Sequence, residues 1–175
     1  SDWSSDVCSS DLSILANESY RNGGIFPGYD SINGWKPIIY EEDDSGYSAT
    51  VYQKGDQIAI AHRGTQFDSF LDAFRDILTD LKLGFDDDVP SQFTDAINFT
   101  NNIRDKFNGA KIIHTGHSLG GAIANYIVSQ ESHGKDDLSA VDRAVSFNAP
   151  DIRQLLTNDD LEVDGWLDTL KNMNR

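Results

Sequence analysis

The chain has 175 residues, 38% hydrophobic and 10% aromatic, which is enough apolar material for one packed domain and too much for a disordered chain. Its 14 Lys and Arg stand against 29 Asp and Glu, a formal charge of −15 that repels phosphate backbones and excludes nucleic acid as a partner. No apolar run approaches the ~20 residues of a membrane span, and the single cysteine, Cys8, excludes an internal disulfide framework or a multi-cysteine metal site.

Residues 1–12 are Ser/Asp-rich and aperiodic, without the basic start and apolar centre of a signal peptide. Read in frame from Asp2, they resemble the translation of a common short-read sequencing adaptor. The expectation is a non-native scar at 1–12 and a partial domain at 13–175. Without Asp2, Asp6 and Asp11 the remaining chain carries −12. Without Cys8 nothing indicates a redox compartment, and localisation stays open.

In chain order, Ile14, Leu15 and Ala16 with Tyr20 suggest a short helix over 13–20, and Gly23-Gly24, Pro27-Gly28 and Asn33-Gly34 mark loops. Residues 35–40 read as a strand, followed by an acidic turn at 41–44. Two β-rich runs, 47–54 and 57–63, flank Gly55-Asp56, the spacing of a tight hairpin. The period then changes. Phe70, Leu71, Phe74, Ile77, Leu78 and Leu81 predict a helix over 70–83, and an acidic loop with Asp86-Asp87-Asp88 follows. Phe93, Ile97, Thr100, Ile103 and Phe107 define a second helix ended by Asn108-Gly109. A strand over 111–115, a helix over 119–129, a polar loop over 130–137 and a strand over 143–148 complete the legible part, with a weak helix over 151–156 and an indistinct tail. The alternation predicts an α/β fold of α/β-hydrolase type: a mostly parallel sheet with an N-terminal hairpin and flanking helices.

The sharpest signal is Gly116-His117-Ser118-Leu119-Gly120, a G-x-S-x-G motif. Alone it is weak, since chance gives one in roughly one chain in twenty of this length. Here it lies between a predicted strand and an apolar-faced helix, the placement a nucleophile elbow requires. The bend lifts Ser118 Oγ over a helix N-terminus, whose N–H groups favour developing negative charge. The bland alternative is a strand-to-helix turn with a capping serine. An elbow also needs an oxyanion hole. The N–H of Leu119 supplies one donor, and Arg63-Gly64-Thr65, at the end of a strand, supplies a place for the second, with an ordinary strand-end turn as the alternative.

Five motifs in order, Ala61-His62-Arg63-Gly64-Thr65, Asp76-Ile77-Leu78-Thr79-Asp80-Leu81, Gln92-Phe93, Gly116-His117-Ser118-Leu119-Gly120-Gly121 and Phe147-Asn148-Ala149-Pro150, resemble class 3 (fungal-type) lipases and their bacterial lipase-like branch. The resemblance implies Ser118 as nucleophile, Thr65 and Leu119 as the oxyanion hole, and Asp80 bracing the oxyanion loop. On spacing alone, Asp76 and Asp80 are a solvated helix face. The family often has tryptophan where Ile77 stands and a longer lid helix than residues 84–91 can form, which argues against lid-controlled activation.

A serine hydrolase needs a histidine base and an acid after the nucleophile. Here His133 is in the polar loop, His117 is expected to point into the scaffold, and His62 and His114 are expected to pack within strands. Asp151 comes one strand too early for the family's acid, and Asp159, Asp160 and Asp164 lie in the tail. The expectation is therefore a truncated serine ester hydrolase, acting on acyl (lipid) esters through an acyl-enzyme, with its Asp and His beyond Arg175 and this piece inactive. No metal or organic cofactor is expected: the three adjacent carboxylates of 86–88 lack the spacing of a calcium loop. The expected partner is a small-molecule or lipid ester, with at most transient contact with a lipid interface, and oligomeric state is left open. The alternatives are a non-catalytic α/β-hydrolase-like binding module, or an acyltransferase or peptidase using the same serine.

Overall fold

Along Gln57–His62, Ile58 and Ile60 face one way and Ala59 and Ala61 the other, and all four are buried, so this strand is covered on both faces. It is β3, the middle of a five-stranded sheet whose spatial order follows the chain: β1 (Lys36–Glu42), β2 (Ser48–Lys54), β3, β4 (Ile112–His117) and β5 (Arg143–Phe147). Among the described residues three helices flank it, α1 (Ser9–Glu18), α2 (Ser91–Lys106) and α3 (Leu119–Ser132). The computed structural model describes residues 7–21, 29–64, 90–133 and 141–152. The expected helix over 70–83, the acidic loop with Asp86–Asp88, the glycine and proline turns at 23–28, Thr65, Asp80 and the tail from 153 lie outside the described residues.

The two sheet faces carry separate cores. Val7 and, from α1, Leu12 and Leu15 pack with Trp35, Tyr52, Ala59, Ala61 and Ile113 on one face. On the other, Phe93 and Ile103 of α2 and Leu119 and Ile123 of α3 pack with Tyr47, Val51, Ile58, Ile60 and Ile112. Each large side chain buried in this way contributes about 1.5–3 kcal/mol. Helix α2 buries Phe93, Ala96, Phe99, Thr100 and Ile103 at helical spacing. It stops where Asn108 and Gly109 turn to positive φ and the Gly109 N–H donates to the Arg104 carbonyl at 2.8 Å.

The expectation of a mostly parallel sheet is corrected. Among the described strands the sheet is mixed: β1–β2 and β2–β3 are antiparallel, β3–β4 and β4–β5 parallel. The reason is a second hairpin. Asp43 Oδ1 accepts from the Ser45 N–H at 2.9 Å, the Ser45 hydroxyl at 2.6 Å and the Tyr47 N–H at 3.2 Å, folding the acidic turn into a tight link that brings β1 back beside β2. The predicted hairpin of 47–54 and 57–63 forms as expected, with Gly55 at φ +63. The strand read over 35–40 runs over Lys36–Glu42, the helix read over 119–129 runs on to Ser132, and the helix read over 13–20 starts earlier, at Ser9.

That early start concerns the segment set apart as foreign to the fold. Val7 and Leu12 belong to the α1-side core. Asp11 Oδ1 accepts from Asn33 Nδ2 at 2.8 Å, and its Oδ2 lies 3.5 Å from Lys54 Nζ. Whatever the origin of residues 1–12, the end of this segment packs as part of the domain. Among the described residues no helix is long and apolar enough to cross a membrane.

Candidate active site

Strand β4 delivers the motif to the edge of the sheet. Its last residues, Gly116 and His117, pair with Ser146 and Phe147 of β5, and the chain then reverses into α3. Ser118, at the reversal, takes φ +56 and ψ −124, a region that a residue with a Cβ enters only at a cost of order 1–3 kcal/mol. Its N–H donates to the Phe147 carbonyl at 2.9 Å, and its carbonyl accepts from Ala122 at 3.1 Å to open the helix. The Ser118 side chain makes no capping hydrogen bond and is half-buried. The capping-serine alternative is therefore not what the chain does with this hydroxyl. The N–H of Leu119, in the first turn of α3, has no acceptor within the helix.

The glycines around the serine are steric requirements. A Cβ on Gly120 would run into the main-chain carbonyl of His62, and a Cβ on Gly116 into the main chain of Gly120. The β3 end, the β4 end and the first turn of α3 thus meet backbone to backbone. Gly64 joins this contact: a Cβ there would lie 2.8 Å from the His117 carbonyl oxygen and 3.2 Å from the Gly120 nitrogen. The turn that leads to Thr65 is therefore seated against the elbow, as β3–β4 register requires, with His62 opposite Gly116. Thr65 and Asp80 themselves lie outside the described residues.

Tyr20 is a site residue that sequence reasoning read only as part of a helix. Its hydroxyl donates to the His117 carbonyl at 3.4 Å and sits where a Gly64 side chain would be, so it touches the elbow and the turn together. Burial raises the phenol's pKa, against a hydrogen bond from the Gly64 backbone and the charge of Arg63, whose guanidinium lies 6.0 Å from the ring centroid. A cavity of about 460 Å³ lined by Asn17, Tyr20, Arg21 and His117 opens beside it. No local sequence signal marks Tyr20; contact across 97 positions does.

The histidines divide differently from expectation in one case. His117 is exposed on the α1 side, with Nε2 3.2 Å from Asn148 Nδ2, rather than buried in the scaffold. Alternation along β4 explains this: Ile113, Thr115 and His117 share the face toward α1. His133 is exposed at the end of α3, as a surface histidine should be. His62 and His114 are fully buried, as expected of strand residues that pack. His114 Nε2 lies 3.2 Å from Asp142 Oδ2, a pairing that imitates half of a catalytic triad. It cannot serve Ser118, since four positions, ~13 Å at strand spacing, separate them and the pair is sealed beneath α2 and α3. Among the described residues no histidine hydrogen-bonds Ser118, and no cluster of His, Cys, Asp and Glu could hold a metal ion.

A sharp strand–serine–helix reversal on a sheet flanked by helices is the arrangement found in lipase-type α/β folds. The solved structure of Rhizomucor miehei lipase in its propeptide complex matches with a TM-score of 0.51 at 18% identity, over 81% of this chain and 52% of that one. Lip2 lipase from Yarrowia lipolytica matches with a TM-score of 0.48 at 18% identity, over 81% and 58%. The lipase from Rhizopus microsporus var. chinensis matches with a TM-score of 0.46 at 14% identity, over 81% and 56%. The likeness is one of fold, and the chain spans about half the length of these lipases. No curated protein matches the sequence. The chain belongs to the Mbeg1-like family, whose sequence profile matches residues 31–172.

Proposed function

We propose that this domain is the nucleophile-bearing part of a serine ester hydrolase that acts on acyl esters, lipid esters among them. Ser118 attacks the ester carbonyl, and the N–H groups of Leu119 and Thr65 receive the negative charge that develops on its oxygen. Asp80 braces the loop that carries Thr65. The alkoxide leaves with a proton returned by a histidine, and water then releases the acid from Ser118. Among the described residues no histidine reaches Ser118, so the base and its orienting acid stay unassigned, and the chain as given is expected to bind an ester without turning it over. The observation that carries the reading is Ser118 held at φ +56 with a side chain that caps nothing, beside an in-helix donor with no acceptor and a turn seated on the elbow.

The test is covalent labelling. A fluorophosphonate probe is expected to label the gene product read through its downstream sequence, and Ser118→Ala is expected to abolish the signal. An intact product that resists the probe while remaining folded refutes the hydrolase reading and favours a binding module. A panel of acyl esters and phospholipids then separates lipase from phospholipase.

A further inference from the structure

Five polar side chains from distant parts of the sequence meet in the core between the sheet and the α2/α3 layer. Tyr47 Oη lies 3.0 Å from His62 Nδ1, His62 Nε2 lies 2.9 Å from His114 Nδ1, and His114 Nε2 lies 3.2 Å from Asp142 Oδ2. Arg104 Nη2 closes the line at 2.6 Å from the same carboxylate oxygen, and the Ile112 N–H donates to Asp142 Oδ1 at 2.8 Å. Both imidazoles and Tyr47 are at most 1% exposed. Nothing in the proposed hydrolysis uses them, and three apolar side chains would fill the same space without the desolvation penalty.

The chain has a direction. A carboxylate that accepts from an arginine and a backbone N–H is ionised, so it can only accept from His114, which must carry hydrogen on Nε2. A neutral His114 then presents a bare Nδ1, and His62 must donate to it from its own Nε2. His62 Nδ1 is bare in turn, and Tyr47 must donate its hydroxyl hydrogen. Each bond fixes the next, from Asp142 to Tyr47. A proton added to His114 would set two donors face to face unless every bond down to Tyr47 reversed. Arg104 and Glu131 face the Asp142 end, 3.5 Å from each other, and the negative charges of Asp43, Glu41 and Asp95 act on Tyr47.

The line meets the site through its middle member. The His62 side chain is its centre, and the His62 carbonyl is the surface on which Gly120 rests, two residues before Gly64. We propose that this hydrogen-bond chain is a positioning device for the site: through His62 it fixes the turn at Gly64 against the elbow, and it does so in one proton arrangement, both imidazoles neutral with hydrogen on Nε2. The inference rests on the reading of that turn and the elbow as oxyanion machinery. His62, His114 and Tyr47 are positioning residues, acting through backbone rather than touching substrate.

Nitrogen-15 NMR of the imidazoles in the folded chain at neutral pH tests the direction. Both rings are expected to show hydrogen on Nε2; hydrogen on Nδ1 of either overturns the proposal. In Tyr47→Phe, which keeps the ring volume, His62 is expected to retain Nε2–H while its Nδ1 signal moves to that of an unbonded nitrogen. A switch to Nδ1–H overturns the polarity. The positioning claim is read at the amides of Gly64 and Leu119. His62→Gln, which keeps an N–H where Nε2 stood, is expected to leave both cross-peaks in place. His62→Leu, which fills the space without that donor, is expected to shift both. Unmoved amides in the leucine variant, or shifts as large in the glutamine variant, reduce His62 to packing and overturn the claim. None of these signals requires Ser118 to react, so failure of probe labelling and failure of this proposal are separate outcomes.

Discussion

Strand β4 carries two polar constellations, and they are built on opposite principles. At its C-terminal end, five consecutive residues make the elbow, exposed at His117, half-buried and strained at Ser118, and held by backbone contacts. At its centre, His114 joins Tyr47, His62, Asp142 and Arg104, contributed from positions 47 to 142, buried except for the half-buried Arg104 and held by side-chain hydrogen bonds. The first contains a serine with no histidine bonded to it, the second a histidine–aspartate pair with no serine. The separation teaches that pairing of residue types is not a site: exposure and reach decide, and the buried pair has neither.

The comparison breaks most sharply at Asp142. Removing its carboxylate strands the His114 and Ile112 N–H groups in the interior and leaves Arg104 with Glu131 alone as ion-pair partner, so Asp142→Ala is expected to cost about 3–5 kcal/mol, read by urea unfolding. A loss below about 1 kcal/mol would mean the central constellation does not hold the fold. Gly120→Ala strikes the elbow instead. Its new methyl meets the His62 carbonyl, and about 3 kcal/mol, or roughly 10 °C in melting temperature, is expected to go. Because that carbonyl belongs to a residue of the other constellation, the two losses are expected to be non-additive in the double variant.

The smallest effect is set by pH. Burial, then the repulsion that protons on both His62 and the adjoining His114 would meet, holds His62 well below the usual histidine range, so the folded chain keeps it neutral while the unfolded chain binds a proton below about pH 6.5. Stability is therefore complete above that pH and lost as pH falls, by up to about 1.4 kcal/mol per unit for one proton. Burial pushes the Asp142 carboxyl up, but the His114 hydrogen bond, attraction to that ring whenever it holds a second proton, the Ile112 N–H and Arg104 outweigh it and leave the pKa lowered. Asp142 thus adds its own loss once pH drops below 3.8, its unfolded value. Replacing His62 with glutamine is expected to flatten the first phase and spare the second.

How much of this was legible in the sequence follows from distance along the chain. The elbow was readable because every atom of it lies within a few positions and its glycines have no other use. The α/β alternation, the hairpin of 47–54 and 57–63 and helix α2 were readable from period and turn chemistry. The mixed character of the sheet was not, because the direction of β1 depends on how Asp43 folds three donors around one oxygen. Nor was Tyr20, whose partner His117 is 97 positions away, nor the alignment of His62 with His114, which exists only because parallel register sets β3 and β4 side by side. Their presence in strands correctly foretold burial, while their mutual bonding had no local trace.

The contact of Gly120 with the His62 carbonyl has a consequence for how freely this region can diverge. The posture of Ser118 is set by main chain leaning on main chain, so side chains outside the Tyr47–Asp142 line and Tyr20 have little hold on it. The rest of the cavity's lining can change residue by residue without loosening the hinge on which the hydroxyl stands. The shape of the cavity and the geometry of the serine are, in this architecture, separately adjustable.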